Sequence, residues 1–188
     1  MRQLAILTFM TLDGVMQAPT SPDEDRSGGF SGGGWAAPHW EAVMEQVRDK
    51  AMSVPYDLLL GRVTYEMFAR SHRTASQMSA ATKYVVTSSA RPLQWENSQQ
   101  LRGDVPAEIR KLKDSDGRLL QVHGSWRLVQ TLLAHGLVDE LRLWTFPVIA
   151  GPGGKRLFGG EVPPINLALR EAQAGPTGVT MSIYRPVR

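Results

Sequence analysis

Continuous apolar runs and runs with helical spacing alternate along most of this chain. Residues 4–12, rich in Leu, Ile and Phe, read as a first strand, closed by Asp13-Gly14. Leu58, Leu59 and Leu60 form a short unbroken run of the kind that suits a strand buried on both faces. Gly61 then permits a sharp turn, and Val63, Met67 and Phe68 recur at helical spacing, which predicts a helix from Arg62 to about residue 69. Tyr84-Val85-Val86 predicts a strand over 83–87, and Leu119, Leu120 and Val122 predict another. Between these lie further helices. Pro38 can open one whose face is Val43, Met44, Val47 and Ala51. Asp104 caps one carrying Val105, Ile109 and Leu112. Ser125 stands at the N-cap of one carrying Leu128, Val129, Leu132 and Leu133, and Gly136 stands where a helix C-cap glycine belongs.

The end of the chain changes character. A long strand over 141–150 is broken by Gly151-Pro152-Gly153-Gly154, and strand-like runs at 166–172 and 179–184 flank Gly175-Pro176-Thr177-Gly178, a hairpin signal. Alternation followed by strand after strand predicts one α/β domain over 1–188, with a mostly parallel central sheet and antiparallel C-terminal strands. Residues 17–35 fit no element. Their prolines, acids and glycines form a loop long enough to predict a mobile flap over a site.

Composition narrows the function. The chain has no cysteine, which excludes disulfides, thiolate metal sites and cysteine nucleophiles and suits a cytoplasmic protein. The net charge of +3 is spread without like-charge runs, so an anionic small molecule explains it at least as well as a nucleic acid does. No apolar run is long enough to span a bilayer, and the apolar start reaches Asp13 too soon for a secretion signal. His39, His72, His123 and His135 have no ligand spacing, so no metal is expected.

Three junctions carry candidate chemistry. Leu60-Gly61-Arg62-Val63-Thr64 and Val122-His123-Gly124-Ser125-Trp126 each lead from a strand into a helix, and Val86-Thr87-Ser88-Ser89 leaves a strand with hydroxyls. Ligands of open α/β sheets bind at the carboxyl ends of strands, where helix N-termini present free N–H groups to anions. Arg62 and Arg91 add guanidinium forks suited to phosphate. Singly, each junction reads as an ordinary turn. Together they predict a dinucleotide site.

The same pieces carry a resemblance. Thr11-Leu12-Asp13-Gly14-Val15, Gly61-Arg62-Val63-Thr64-Tyr65-Glu66, Tyr84-Val85-Val86-Thr87-Ser88-Ser89, His123-Gly124-Ser125 and Phe146-Pro147-Val148-Ile149-Ala150-Gly151-Pro152-Gly153 occur in this order across nearly the whole chain. The set resembles the dihydrofolate reductase superfamily, in the branch related to the C-terminal reductase domain of bifunctional riboflavin-biosynthesis enzymes. The resemblance implies a three-layer α/β/α fold, NADPH as cofactor, and a homodimer acting on a small molecule. It implies that Gly61, Arg62 and Thr64 meet the cofactor phosphates, with Ser88, Ser89 and Arg91 near the adenosine 2′-phosphate. It places Gly124, Ser125 and Trp126 along the pyrophosphate and nicotinamide, with the backbone from Thr8 offered to the ring.

One departure bears on the substrate. Folate reductases open the helix after the long loop with a Trp-x-x-Pro-x-acid pattern. Here Trp35 and Pro38 match, but the acid position holds Trp40, and Glu41 lies one residue on, about 100° round a helix. Asp13 and Glu41 are the candidates to touch substrate. Their plainer roles are to cap the Asp13-Gly14 turn and to favour the helix dipole. Trp35 and Trp40 read equally as stacking on a flat ring and as core packing, His39 reads sooner as a packed histidine than as a proton donor, and Gly151 to Arg156 read as a solvated turn or a phosphate loop. The expectation is hydride transfer to a flat nitrogen heterocycle, foremost an aminopyrimidine ribosyl phosphate, as in 5-amino-6-(5-phosphoribosylamino)uracil reductase. The alternatives are a dihydrofolate or pterin reductase and a non-catalytic NADP(H)-binding protein.

Overall fold

A computed structural model describes residues 1–71, 76–160 and 162–187. His72 therefore lies outside the described residues. In chain order the elements are β1 (Leu4–Thr11), α1 (Trp40–Ala51), β2 (Tyr56–Gly61), α2 (Arg62–Ser71), α3 (Ser76–Ala80), β3 (Lys83–Val86), β4 (Ser98–Leu101), α4 (Val105–Asp114), β5 (Leu119–Val122), α5 (Trp126–Ala134), β6 (Glu140–Phe146), β7 (Leu167–Ala174) and β8 (Thr180–Pro186). The strands form one mixed sheet in the order β4-β3-β2-β5-β1-β6-β8-β7. β1, β5, β2, β3 and β4 pair in parallel, whereas β6, β8 and β7 pair antiparallel, as the alternating and then strand-rich sequence predicts.

Two compact units are distinguished by their internal contacts. The first comprises Met1–Ile6 with Pro55–Asp139. Every residue of β2 is buried, which is why its leucines run unbroken. Two buried ion pairs fasten this unit. Arg2 pairs with Asp57, and its Nε donates to Arg118 O at 2.8 Å. Lys113 Nζ lies 2.5 Å from Asp139 Oδ2, which also accepts the Leu4 N–H at 2.8 Å. Removing one partner of such a pair strands a buried charge, a loss of about 3–5 kcal/mol.

The second unit comprises Leu7–Val54 with Glu140–Arg188. Its core joins Leu7, Trp35, Val43, Val47, Trp144, Phe146 and Met181. Phe9 sits edge-on to Trp40, Trp144 and Phe146 at centroid distances of 5.6, 6.0 and 5.8 Å, a geometry that aromatic quadrupoles favour.

Three elements depart from the sequence reading. β4 went unforeseen because Ser98-Gln99-Gln100-Leu101 has no apolar run, yet it pairs with β3 from Lys83↔Ser98 to Val86↔Leu101. The short α3 was unforeseen too. β6 stops at Phe146 instead of continuing to 150: Pro147 has no N–H to offer a ladder, and the Val148 N–H turns back to Phe146 O at 2.8 Å.

Candidate functional site

In the first unit, β2 ends at Gly61 and β5 runs out into Gly124. Gly61 N–H donates to Gly124 O at 3.1 Å, so the two chain reversals meet backbone to backbone. Neither position has room for a side chain. A Cβ on Gly61 would lie 2.0 Å from Ser125 Oγ and 3.1 Å from Ser125 N. A Cβ on Gly124, whose φ is +145°, would lie 2.7 Å from Thr64 Oγ1. The starts of α2 and α5 are thereby brought together, with Thr64 and Ser125 at the contact. Ser125 occupies the expected N-cap position in extended backbone, but its hydroxyl makes no capping bond. It packs against Gly61 instead, a close approach that a capping pattern in the sequence cannot register. The Gly124–Ser125 peptide is cis. Trp126 begins α5 half-buried, and His123 packs its ring 5.6 Å from Phe68.

Arg62 is the first residue of α2. Its Nε donates to Glu66 Oε1 at 2.6 Å and its Nη1 to Arg91 O at 3.0 Å, so the fork ties the helix to the loop after β3. That loop is shaped by its own hydroxyls: Ser89 N–H donates to Thr87 Oγ1 at 3.0 Å, and Arg91 N–H to Ser89 Oγ at 3.2 Å. Ser88 and Arg91 face solvent. Arg102 donates to Ser89 O at 2.9 Å and Gln100 to Arg91 O at 3.0 Å. Neither brace was foreseen, since both sit on or beside the polar β4. A cavity of about 430 Å³ borders α2 on its Arg62–Glu66 face, walled by Tyr65, Arg70, Arg91 and Trp95.

In the second unit the long loop is organised around one amide. Gln17 is 4% exposed. Its Nε2 donates to Asp25 O at 2.9 Å and Ser27 O at 3.0 Å, and its Oε1 accepts from Lys155 N–H at 3.0 Å. Its own carbonyl accepts from Trp35 Nε1 at 3.0 Å. Val15, Ala18 and Phe30 form a small apolar cluster beneath. The glycine-rich segment expected as a flap is thus tied at many points, and the glutamine that ties it carries no local signal.

Asp13 fills its capacity within the protein. It accepts from Thr11 Oγ1 at 2.6 Å, Ala150 N–H at 3.0 Å and Gly151 N–H at 3.1 Å. These bonds, that from Thr11 foremost, hold its carboxyl well below the usual range, at about 2. It is an anchor for the turn and stays ionised at neutral pH. Arg156 donates to Gly151 O at 2.9 Å and Gly153 O at 3.0 Å and so closes the expected phosphate loop on itself, while Lys155 ties that loop to Asp25 of the long loop at 2.5 Å. Glu41 is exposed in the first turn of α1. Thr8 is buried, its hydroxyl donating to Phe9 O at 3.2 Å. Trp35 and His39 set their rings edge-on to Phe146 at 5.1 and 5.7 Å.

The sequence pattern of the RibD C-terminal domain matches residues 2–181. The chain belongs to that family. A RibD C-terminal domain should share its fold with riboflavin-biosynthesis proteins, and it does. A putative riboflavin biosynthesis protein from Shewanella sp. PV-4 superposes with a TM-score of 0.68 at 18% identity, over 100% of both chains. Dihydrofolate reductase from Enterococcus faecalis, solved with NADP(H) and RAB-propyl, superposes with a TM-score of 0.65 at 16% identity, over 99% of this chain and 97% of that one. Among curated proteins, the uncharacterized protein YyaP of Bacillus subtilis is 33% identical over 84 residues. That match spans 45% of this chain and 44% of YyaP, so it covers less than half of that relative.

Within this RibD C-terminal domain, nine of the expected cofactor residues gather in the first unit: Gly61, Arg62, Thr64, Ser88, Ser89, Arg91, Gly124, Ser125 and Trp126. Thr8, Asp13 and Glu41 belong to the second. Among the described residues no cluster of three histidines or carboxylates could hold a metal, and no helix is long and apolar enough to cross a membrane.

Proposed function

We propose that this chain is an NADPH-dependent reductase that transfers hydride to a flat nitrogen heterocycle, foremost an aminopyrimidine ribosyl phosphate of the riboflavin type. The observation that carries the reading is the contact of Gly61 with Gly124. A Cβ at Gly61 would collide with Ser125 and one at Gly124 with Thr64, so only glycine lets the two turns close on each other and bring the two helix starts together. A pyrophosphate needs such a pair of amide clusters, with the Thr64 and Ser125 hydroxyls beside them. The donor set thus fits the dinucleotide. Arg62 and the Ser88–Arg91 loop would hold the 2′-phosphate that separates NADPH from NADH.

When bound, the nicotinamide supplies the hydride. The protein's share is to orient and to keep water out. Aromatic residues of the second unit, Phe9, Trp40 and His39, offer surfaces on which a flat ring packs. Asp13, ionised down to about pH 2, holds its turn and donates no proton at neutral pH. Glu41 faces solvent, where it can orient an amine or pass a proton from water.

The decisive experiment is a turnover screen that follows NADPH oxidation with aminopyrimidine ribosyl phosphates and dihydropterins as acceptors. Oxidation with an aminopyrimidine supports the reading; oxidation with dihydropterin alone moves the substrate to folates. Trp40 at the folate acid position, packed 5.6 Å edge-on to Phe9, favours one second reading, a non-catalytic NADP(H)-binding protein. That protein would bind NADPH and leave it unoxidised whichever acceptor is offered. We further propose that it works as a homodimer on a small molecule, with neither nucleic acid nor membrane as partner, in the cytoplasm.

A further inference from the structure

Lys83 opens β3 and is 0% exposed, an unusual place for a charge. Its ammonium donates to Ser79 O at 2.7 Å and Glu96 O at 3.1 Å, and stands 4.4 Å from the centre of the Trp95 ring. Among the described residues it forms no ion pair with a carboxylate. If the position needed only bulk, an apolar side chain would supply it without the cost of burying an ammonium. The charge is informative because of what it grips. The 91–97 segment is held by Gln100 Nε2 on Arg91 O at 3.0 Å, by Asn97 Nδ2 on Ser79 O at 3.0 Å and by the Lys83 N–H on Asn97 O at 2.8 Å, besides bonds from α2 and from the Lys83 side chain. Arg62 Nη1 donates to Arg91 O at 3.0 Å, Trp95 N–H donates to Tyr65 Oη at 2.8 Å, and Lys83 takes Glu96 O and the Trp95 face. The Tyr65 and Arg62 attachments come from α2 and the Gln100 bond from β4, while the Lys83 side chain grips the segment from β3 as a buried cation. Upstream, the same segment is the Ser88–Arg91 loop.

We propose that Lys83 is a positioning residue for nucleotide selectivity, holding the 91–97 segment, and with it the Ser88–Arg91 loop, in the shape that grips a 2′-phosphate. The proposal rests on the reductase reading for the identity of the phosphate, but not for the hold on the loop. Burial, opposed by the charge of Glu96, pulls the Lys83 ammonium down to about 8. Proton loss removes the cation from the Trp95 face and one N–H donor, while Arg62 keeps its charge. The preference for NADPH over NADH therefore falls as pH rises through about 8.

The test measures NADPH and NADH dissociation constants on both sides of pH 8 for the wild type, Lys83→Arg and Lys83→Met, with amide hydrogen exchange of residues 88–91 on the unliganded protein. In the wild type the preference for NADPH drops about tenfold across the transition, the size expected for a lost charged hydrogen bond. Lys83→Arg keeps the preference and loses the step. Lys83→Met shows the weak preference at every pH, with NADH binding unchanged, and exchanges faster at 88–91. Wild-type affinity and exchange in Lys83→Met would overturn the proposal. If Lys83→Met does not fold, the wild-type exchange series decides: protection at 88–91 that stays flat through pH 8 overturns it. Protection that falls while neither nucleotide binds supports the hold and overturns the cofactor reading instead.

Discussion

The Gly61–Gly124 junction and the Asp13–Trp35 loop are both stretches of chain at the ends of strands, and they are held in opposite ways. At the junction backbone meets backbone, and what matters is the absence of side chains. In the loop, side chains do the holding: Gln17 and Asp13 satisfy main-chain groups up to 138 residues away. A junction of the first kind is specified by a few neighbouring residues and tolerates almost no substitution. A loop of the second kind fails at the few side chains that close it, as well as at glycines such as Gly34, whose φ is +82° and whose Cβ would lie 2.9 Å from Pro22.

The sharpest way to break the contrast is Gly61→Ala. Its methyl would meet Ser125 N at 3.1 Å as well as the movable Oγ, so rotation of the hydroxyl gives no escape. The expected loss is about 3 kcal/mol by urea denaturation, with nucleotide binding abolished. Next is Gln17→Ala. It leaves the Asp25 and Ser27 carbonyls and the Lys155 N–H without their partner and costs about 2 kcal/mol in the same assay. NADPH affinity should stay unchanged, because the amide belongs to the other unit. An equal loss of affinity in Gln17→Ala would erase the distinction between the two regions.

Acid separates them further. The Asp13 carboxyl is depressed from 3.8 to about 2, so its contribution is complete above its unfolded value and is lost as pH falls from about 4 towards 2. In Asp13→Asn that part of the acid unfolding curve should flatten, as seen by circular dichroism. Glu41→Gln gives the smallest effect on stability, within about 0.5 kcal/mol for an exposed helix-start residue. Its kcat is the informative number: a tenfold fall assigns Glu41 to the reaction, and an unchanged value leaves it as a dipole partner.

The junction was legible because its rules are local. An apolar triplet, a glycine and a helical period place Gly61, Arg62 and Thr64 without knowledge of anything distant, and the same holds for Gly124 and Ser125. The role of Ser125 was not legible, since packing against Gly61 is a contact across 64 positions that resembles a cap in sequence. Gln17 and Arg102 were invisible for the same reason: each is a lone polar residue whose meaning lies in carbonyls that the fold brings to it. β4 hid because an edge strand with polar side chains needs only backbone pairing to its neighbour. Asp13 was legible as a turn anchor, but its bonds to the N–H groups of Ala150 and Gly151, 137 and 138 positions away, were not.

The central claim is that the paired glycine junctions hold the phosphates of NADPH. Its most direct test is a titration of the wild type and Arg62→Ala with NADPH and NADH, followed by tryptophan fluorescence. The account predicts that NADPH binds more tightly than NADH and that Arg62→Ala weakens NADPH at least about tenfold. If neither nucleotide bound the wild type at millimolar concentration, the paired junctions would be a family scaffold without its ligand, and the claim would be wrong.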